Sequence, residues 1–402
     1  PRYGPAAVVL KSSIIRRDFE INPRVSLYPS AGHLQYTPAR PDAKAVDELA
    51  GMIKKAARPL LIVGQGAQND RTRDLLAKVA GKGGLAVATS YNGKGVVDES
   101  SPISVGMLGT WGCKAANNAL RDADLVIALG ASLGPDYMRF CEAGFLNPQN
   151  QTLVQIDIDP RNSGWVYPVK LSITGDAGDA LEMMQAADLG ESKRLDRLKW
   201  IAENNLKSRY GVIDEYKTAE GTVHNVDIVR ALDQHLTPDH LLTLDAGNNR
   251  IWVTGTLKIR TPGQLLVPGG IGGMGWSIPA GVGAKIGRPD KRVISLTGDG
   301  GAGMSVAALS TAISENAPIT VVVANNAGLG MVRDNMKGEP YGVNYPLTNF
   351  ATIAKGMGCH AIEVTRSQDM LEALKEAEKM DGPCLIDVAV DPAASHHPAS
   401  DY

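Results

Sequence analysis

Two polar clusters in this sequence carry groups that could hold a phosphate and a divalent cation. They are Gly298-Asp299-Gly300-Gly301 and Asn325-Asn326-Ala327-Gly328-Leu329-Gly330-Met331. Residues 301–324 separate the Gly-Asp-Gly of the first from the Asn-Asn of the second. Glycines let the backbone approach an anion closely, and free N–H groups at a helix start favour negative charge. Asp299 and Asn326 offer hard oxygen donors, which suit Mg²⁺ or Ca²⁺ better than zinc. A diphosphate bridged to Mg²⁺ fits such a donor set. The bland alternative is that these Gly and Asn residues serve only turns. A third cluster, Asp245-Ala246-Gly247-Asn248-Asn249, adds uncharged amide donors, again with turn chemistry as the alternative. A fourth, Gly270-Ile271-Gly272-Gly273-Met274-Gly275, matches the bare GxGxxG pattern. A dinucleotide site needs a strand before it and an acidic residue about 20 positions on, at the next strand's end. Asp290 has the distance but lies in a Gly-Arg-Pro-Asp-Lys loop, so NAD is disfavoured.

The elements that must position these clusters alternate between strand and helix. Val293–Thr297 reads as a buried parallel strand, Ser305–Asn316 as a helix after a glycine turn, and Ile319–Ala324 as the next strand. Both polar clusters then fall at strand carboxyl ends, where open α/β sheets bind ligands. Further strands are expected at Ala6–Leu10, Pro59–Val63, Leu85–Thr89, Leu125–Leu129, Thr152–Ile158, Leu241–Leu244, Ala361–Val364 and Pro383–Val388. Helical spacing marks Asp42–Ala56, Arg71–Ala80, Ala115–Arg121, Asp227–Gln234, Ser277–Ile286, Ile353–Met357 and Met370–Glu378. The fold class is α/β, with two doubly wound, mostly parallel domains preceded by a strand and a linker.

With 402 residues, the length prior is two to three domains. A net charge of −2 gives no argument for nucleic acid or a membrane surface. The four cysteines are far apart, without a CxxC pair, and read as reduced thiols of a cytoplasmic protein. No apolar run reaches the length of a membrane span, and no signal peptide is visible. His396-His397 lies in a polar tail and reads as frayed chain rather than a metal site.

The spacing of Gly298-Asp299-Gly300 and Asn325-Asn326 resembles the GDG…NN signature of thiamine-diphosphate (ThDP) enzymes, and the chain resembles their acetolactate-synthase-like large subunits. The resemblance implies Mg²⁺ held by Asp299, Asn326 and the Gly328 carbonyl. It implies a cofactor site of Gly247, Asn248, Asn249, Gly298, Gly300, Gly301, Leu329, Gly330 and Met331. It gives Gly272, Gly273 and Met274 to the pyrimidine: the Gly272 carbonyl accepts from the 4′-amino group, and Met274 wedges between the two rings. The domains implied are residues 1–41, the last strand of a pyrimidine-binding domain plus linker; 42–190, a central domain; 191–221, a connecting helical segment; 222–392, the diphosphate domain; and 393–402, a tail. The activating Glu of the family belongs to the pyrimidine-binding domain of a neighbouring subunit. No residue here receives that role, and a homo-oligomer (dimer or tetramer) is expected. The reaction class is decarboxylation or carboligation of a small 2-oxo acid. Glyoxylate-carboligase-like and 2-oxo acid decarboxylase activities are alternatives, as is a non-catalytic ThDP-binding subunit that needs a separate N-terminal domain. Some relatives bind FAD or ADP in the central domain. Acetolactate synthases carry an arginine segment there, where this chain has Ala131-Ser132-Leu133-Gly134-Pro135, which favours a purely structural domain over FAD.

Overall fold

The structure is a computed structural model that describes residues 9–16, 37–208, 216–218 and 220–394. Two six-stranded sheets dominate, and every strand pair is parallel. The first comprises β1 (Pro59–Val63), β2 (Ala86–Thr89), β3 (Ser104–Met107), β4 (Leu125–Leu129), β5 (Thr152–Asp157) and β6 (Leu171–Thr174), in the order β3-β2-β1-β4-β5-β6. The second comprises β7 (His240–Leu244), β8 (Leu265–Leu266), β9 (Arg292–Gly298), β10 (Thr320–Asn325), β11 (His360–Val364) and β12 (Cys384–Ala389), in the order β11-β12-β10-β9-β7-β8.

The near-continuous apolar runs follow from burial on both faces. In β1, Leu61 and Val63 enter the core on one side of the sheet while Leu60 and Ile62 enter the other. In β10, Val322 and Ala324 face one core and Val321 and Val323 the opposite one. Each of the buried Val, Leu and Ile side chains contributes about 1.5–3 kcal/mol of burial. The chain reverses its direction of winding between β1 and β4 in the first sheet and between β7 and β9 in the second. A crevice opens at the carboxyl ends of the strands at each such switch.

The sequence expectations differ from the structure in identifiable places. Ala6–Val8 of the expected first strand lie outside the described residues; Val9 and Leu10 are exposed and belong to no strand. The short helix Ser12–Ile15 falls in the expected linker. Strands β3, β6 and β8 had no clear sequence signal: β3 is four residues with an internal glycine, β6 is a half-exposed edge, and β8 is two residues long. The helix Arg194–Ser208, expected as a connecting helix solvated on one face, docks its other face on the first sheet's unit. Its Ile201 is buried, and Asn204 donates to the Ala115 carbonyl. Arg197 is buried and donates to the carbonyls of Gly83, Leu189, Ile53 and Ala56.

The two units interlock through Lys94 and Glu99, a fully buried ion pair at 2.7 Å. Glu99 Oε2 also accepts the Ile259 N–H at 2.8 Å, and the Gly263 N–H donates to the Gly95 carbonyl. No helix among the described residues is long and apolar enough to cross a membrane.

Candidate functional site

Strand β9 ends at Gly298, whose extended backbone (φ −86°, ψ 168°) N-caps the helix Asp299–Ser305. The sequence placed a glycine turn here and began the helix at Ser305; the helix instead starts at Asp299, and a second one, Ala308–Ser314, follows. Glycine's low helix propensity hid the first of these. The three residues after Gly298 form its opening turn, so Asp299 sits where the helix dipole favours a negative charge.

Asp299 is 3% exposed. Its Oδ1 accepts the Gly300 N–H at 2.8 Å, and its Oδ2 accepts the Gly328 N–H at 2.9 Å. One carboxylate thus ties together the two motifs that the sequence singled out. Burial raises the Asp299 pKa above the usual carboxylate range, against the opposing pull of the Gly328 N–H. The two asparagines after β10 divide their work. Asn325 donates to the Thr348 carbonyl at 2.8 Å and to Asp387 Oδ1 at 3.0 Å, which anchors the strand end. Asn326 lines the cleft. Ala327 adopts φ +53°, an uncommon conformation for alanine, and turns the chain so that Gly328 reaches Asp299. The Leu329 N–H to Val343 and the Tyr345 N–H to Ala327 hold that turn from outside.

Strand β7 delivers the third cluster at the start of the helix Asn248–Thr256. Gly247 is left-handed at φ +124°, and a Cβ there would stand 2.8 Å from Asn249 Oδ1. Asn248 donates to Asp334 Oδ2 at 2.9 Å, while its own Oδ1 has no partner among the described residues. Asn249 is 4% exposed, and its Nδ2 donor also has none. A Cβ on Gly330 would meet Asn326 Nδ2 at 2.6 Å and Asn248 Nδ2 at 2.9 Å, so both amides converge there. One on Gly300 would meet Met274 Cε at 2.9 Å.

These residues enclose a cleft of about 100 Å³ at the β7/β9 switch. Its lining includes Gly247, Asn248, Asn249, Met274, Gly298, Asp299, Gly300, Gly301, Asn326, Gly328, Leu329, Gly330 and Met331. Gly272 and Gly273 do not line it. They lie in the loop before the helix Ser277–Gly287, where Gly272 has φ +65° and Ile271 is fully exposed.

Sequence reasoning gave no role to two residues that shape this site. Asp245, wholly buried, accepts the N–H groups of Ala246 (2.8 Å) and Gly275 (3.1 Å) and the Thr297 hydroxyl (2.8 Å), which ties β7, β9 and the glycine loop together. Its place in the cluster after β7 was the available signal. Tyr345 carries a buried hydroxyl beside Asp299, and burial together with that carboxylate pushes its pKa upward. No motif marked it. The cleft fits a magnesium-bridged diphosphate on three grounds: an orphaned buried amide donor, glycines where a side chain would collide, and a carboxylate–amide oxygen set.

The first sheet has a larger cavity of about 1180 Å³ at the β1/β4 switch. Gly64, Gly66, Gly130, Asp157 and Asp159 contribute to its wall. Among the described residues that line it, Arg161 is the one basic side chain, and it is paired with Asp159 at 2.7 Å. In a third cluster of ligand types, Nε2 of His235 and of His240 stand 3.0 and 2.7 Å from Glu378 Oε1. His240 Nδ1 accepts the Thr237 N–H at 3.0 Å, which leaves the proton of the neutral ring on Nε2, 2.7 Å from Glu378 Oε1. That nitrogen therefore has no free lone pair for a metal.

Two parallel α/β units with a polar cleft at the sheet switch define a class that the family comparison identifies. The central domain of thiamine pyrophosphate enzymes matches residues 46–184, and their C-terminal TPP binding domain matches residues 245–388. The chain belongs to the thiamine pyrophosphate enzyme family. Among curated proteins it is similar to acetolactate synthase large subunits. A probable one from Methanococcus aeolicus is 29% identical over 98% of this chain and 68% of its own length. That of Corynebacterium glutamicum is 30% identical over 97% of this chain and 63% of its own. The mitochondrial catalytic subunit of Saccharomyces cerevisiae is 27% identical over 97% and 59%. The chain thus spans roughly two thirds of the length of these relatives.

Proposed function

We propose that this chain is the cofactor-holding part of a ThDP- and Mg²⁺-dependent enzyme that decarboxylates a small 2-oxo acid and passes the acyl unit to an acceptor, as its acetolactate synthase relatives suggest. The observation that carries the reading is the bond from the Gly328 N–H to Asp299 Oδ2, which brings the two motifs to one cleft beside the unpartnered Asn249 amide. Asp299, the Asn326 side chain and the Gly328 carbonyl would hold Mg²⁺. Asn249 and those N–H groups of the Gly298–Gly301 turn that Asp299 does not accept would hold the diphosphate. Met274, reaching over Gly300, would support the ring system, and Gly272 would meet the aminopyrimidine. When bound, ThDP supplies the electron sink that lets a 2-oxo acid lose CO₂. The chain's own residues bind, orient and shield it.

Exposed apolar side chains lie beside this cleft. Met304 packs against Gly275, and Ile271 and Met274 stand on the glycine loop. They suit coverage by a pyrimidine-binding domain from a second subunit, which would bring the activating Glu. The test measures CO₂ release from pyruvate and glyoxylate with ThDP and Mg²⁺, with and without a separately supplied N-terminal domain of about 150 residues. Turnover that depends on the added domain supports the reading. Ordinary turnover by this chain alone contradicts the need for that domain, and ThDP binding without turnover in either case favours the non-catalytic alternative.

The cavity at the β1/β4 switch supports a second proposal, that the central unit takes FAD or ADP rather than being purely structural. Arg161 is committed to Asp159, and the N–H groups of Gly64, Gly66 and Gly130 already donate to the Leu129, Gly130 and Ile156 carbonyls, so other backbone N–H groups of the wall would have to face the phosphates. Visible absorbance near 450 nm after loading distinguishes FAD from ADP, and no binding of either restores the structural reading.

A further inference from the structure

We infer that Arg250 binds the substrate's carboxylate and selects a 2-oxo acid over an uncharged ketone; the inference rests on the cofactor reading above. Arg250 is the third residue of the helix whose first two, Asn248 and Asn249, face the cleft. It does not line that cleft, so the diphosphate is not its partner. One turn on, Thr254 reaches the Trp111 carbonyl, so this face of the helix is turned to the first sheet's unit. There the Arg250 guanidinium lies 5.3 Å from the ring centroid of Tyr91. Tyr91 in turn stacks on Tyr137, with centroids 5.3 Å apart and planes within 5°. On its other side the guanidinium flanks the glycine loop, where a Cβ on Gly272 would stand 3.3 Å from Nη1.

Arg250 is therefore held between the units, beside the loop assigned to the aminopyrimidine. Yet it forms no ion pair among the described residues, and its Nε is buried without a hydrogen-bond partner. Asp245, whose charge also acts on Tyr91, has its oxygens taken by Ala246, Gly275 and Thr297. A half-buried guanidinium with no carboxylate beside it keeps donors to offer to an anionic ligand. A guanidinium over an aromatic ring still offers N–H groups in a planar fork, which matches a carboxylate. The position, next to the reacting end of the cofactor and away from its diphosphate, is where the charged end of a 2-oxo acid belongs.

The test uses the whole chain loaded with ThDP and Mg²⁺ and two probes. These are oxamate, an unreactive isostere of pyruvate, and its uncharged methyl ester, both followed by ligand-observed NMR titration. Wild type binds oxamate saturably and at least tenfold tighter than the ester. Arg250→Gln weakens oxamate at least thirtyfold and leaves the ester within twofold, and Arg250→Lys recovers part of the loss. ThDP affinity, measured alongside, stays within twofold in both variants. The inference is overturned if wild type holds ThDP but not oxamate, if Arg250→Gln keeps its oxamate affinity, or if the ester is weakened equally. Failure of wild type to bind ThDP at all sinks the cofactor reading, and this inference with it.

Discussion

Replacing Gly330 by alanine places a methyl group 2.6 Å from Asn326 Nδ2 and 2.9 Å from Asn248 Nδ2, so at least one amide must move. Gly330 opens the helix Gly330–Asn335 and is not among the left-handed glycines, so the backbone itself accepts alanine. Two effects on the fold oppose each other. Helix propensity gains about 1 kcal/mol, whereas crowding a packed site costs about 1–3 kcal/mol. The melting temperature should therefore shift by only a few degrees. Cofactor affinity should change more. A hydrogen bond or ligand contact to a charged group is worth about 1.5–3 kcal/mol. Displacing Asn326 alone then costs about 2 kcal/mol, which is about thirtyfold in Kd. Isothermal titration with ThDP at saturating Mg²⁺ reads this directly, with differential scanning fluorimetry as the control. A Gly330→Ala protein that folds normally and binds ThDP within twofold of wild type would refute the convergence of these amides on the cofactor.

Asp299→Ala should abolish the Mg²⁺ dependence of ThDP binding while leaving the fold intact, at a cost of several kcal/mol on the order of a lost anionic ligand; titrations with and without Mg²⁺ show it. Burial raises the Asp299 pKa, so Mg²⁺-dependent affinity should fall on acidification at a higher pH than for an ordinary carboxylate. The sign for the free chain is opposite: this raised group makes the apo fold more stable as pH falls through the window between its unfolded and folded values, which a pH series of melting curves with and without ligand separates. Met274→Ala should lower turnover at saturating ThDP more than it weakens ThDP binding, because the diphosphate contacts lie elsewhere; steady-state kinetics that show lost affinity with turnover intact would contradict its role. Glu99→Gln strands the buried Lys94 and should destabilise the chain by about 3–5 kcal/mol in denaturant unfolding, with an apolar double replacement of Lys94 and Glu99 recovering much of it.

Most strands were legible because burial on both faces demands unbroken apolar runs, as in Pro59–Val63 and Leu125–Leu129, which the structure reproduces to the residue. The candidate cleft was legible where chemistry and turn geometry coincide, as at Asp299 and Asn326, which both line it. It was hidden where a residue acts through distant partners. Asp245 works by gathering N–H groups from the Gly275 loop and a hydroxyl from β9, and Tyr345 by lying under Asp299 from a segment without periodicity. Local pattern carries no trace of such pairings. The helix at Asp299 was missed for the opposite reason. Its glycines read locally as a turn, and only the strand end at Gly298 and the cap it forms make them helical.

The measurement that bears most directly on the account is calorimetric titration of this chain with ThDP, run with Mg²⁺ and again with a chelator. One saturable site per chain is expected, weakened at least a hundredfold when the metal is withdrawn. Binding that ignores the metal, or no binding under either condition, would contradict the assignment of the cleft between Asp299 and Asn326.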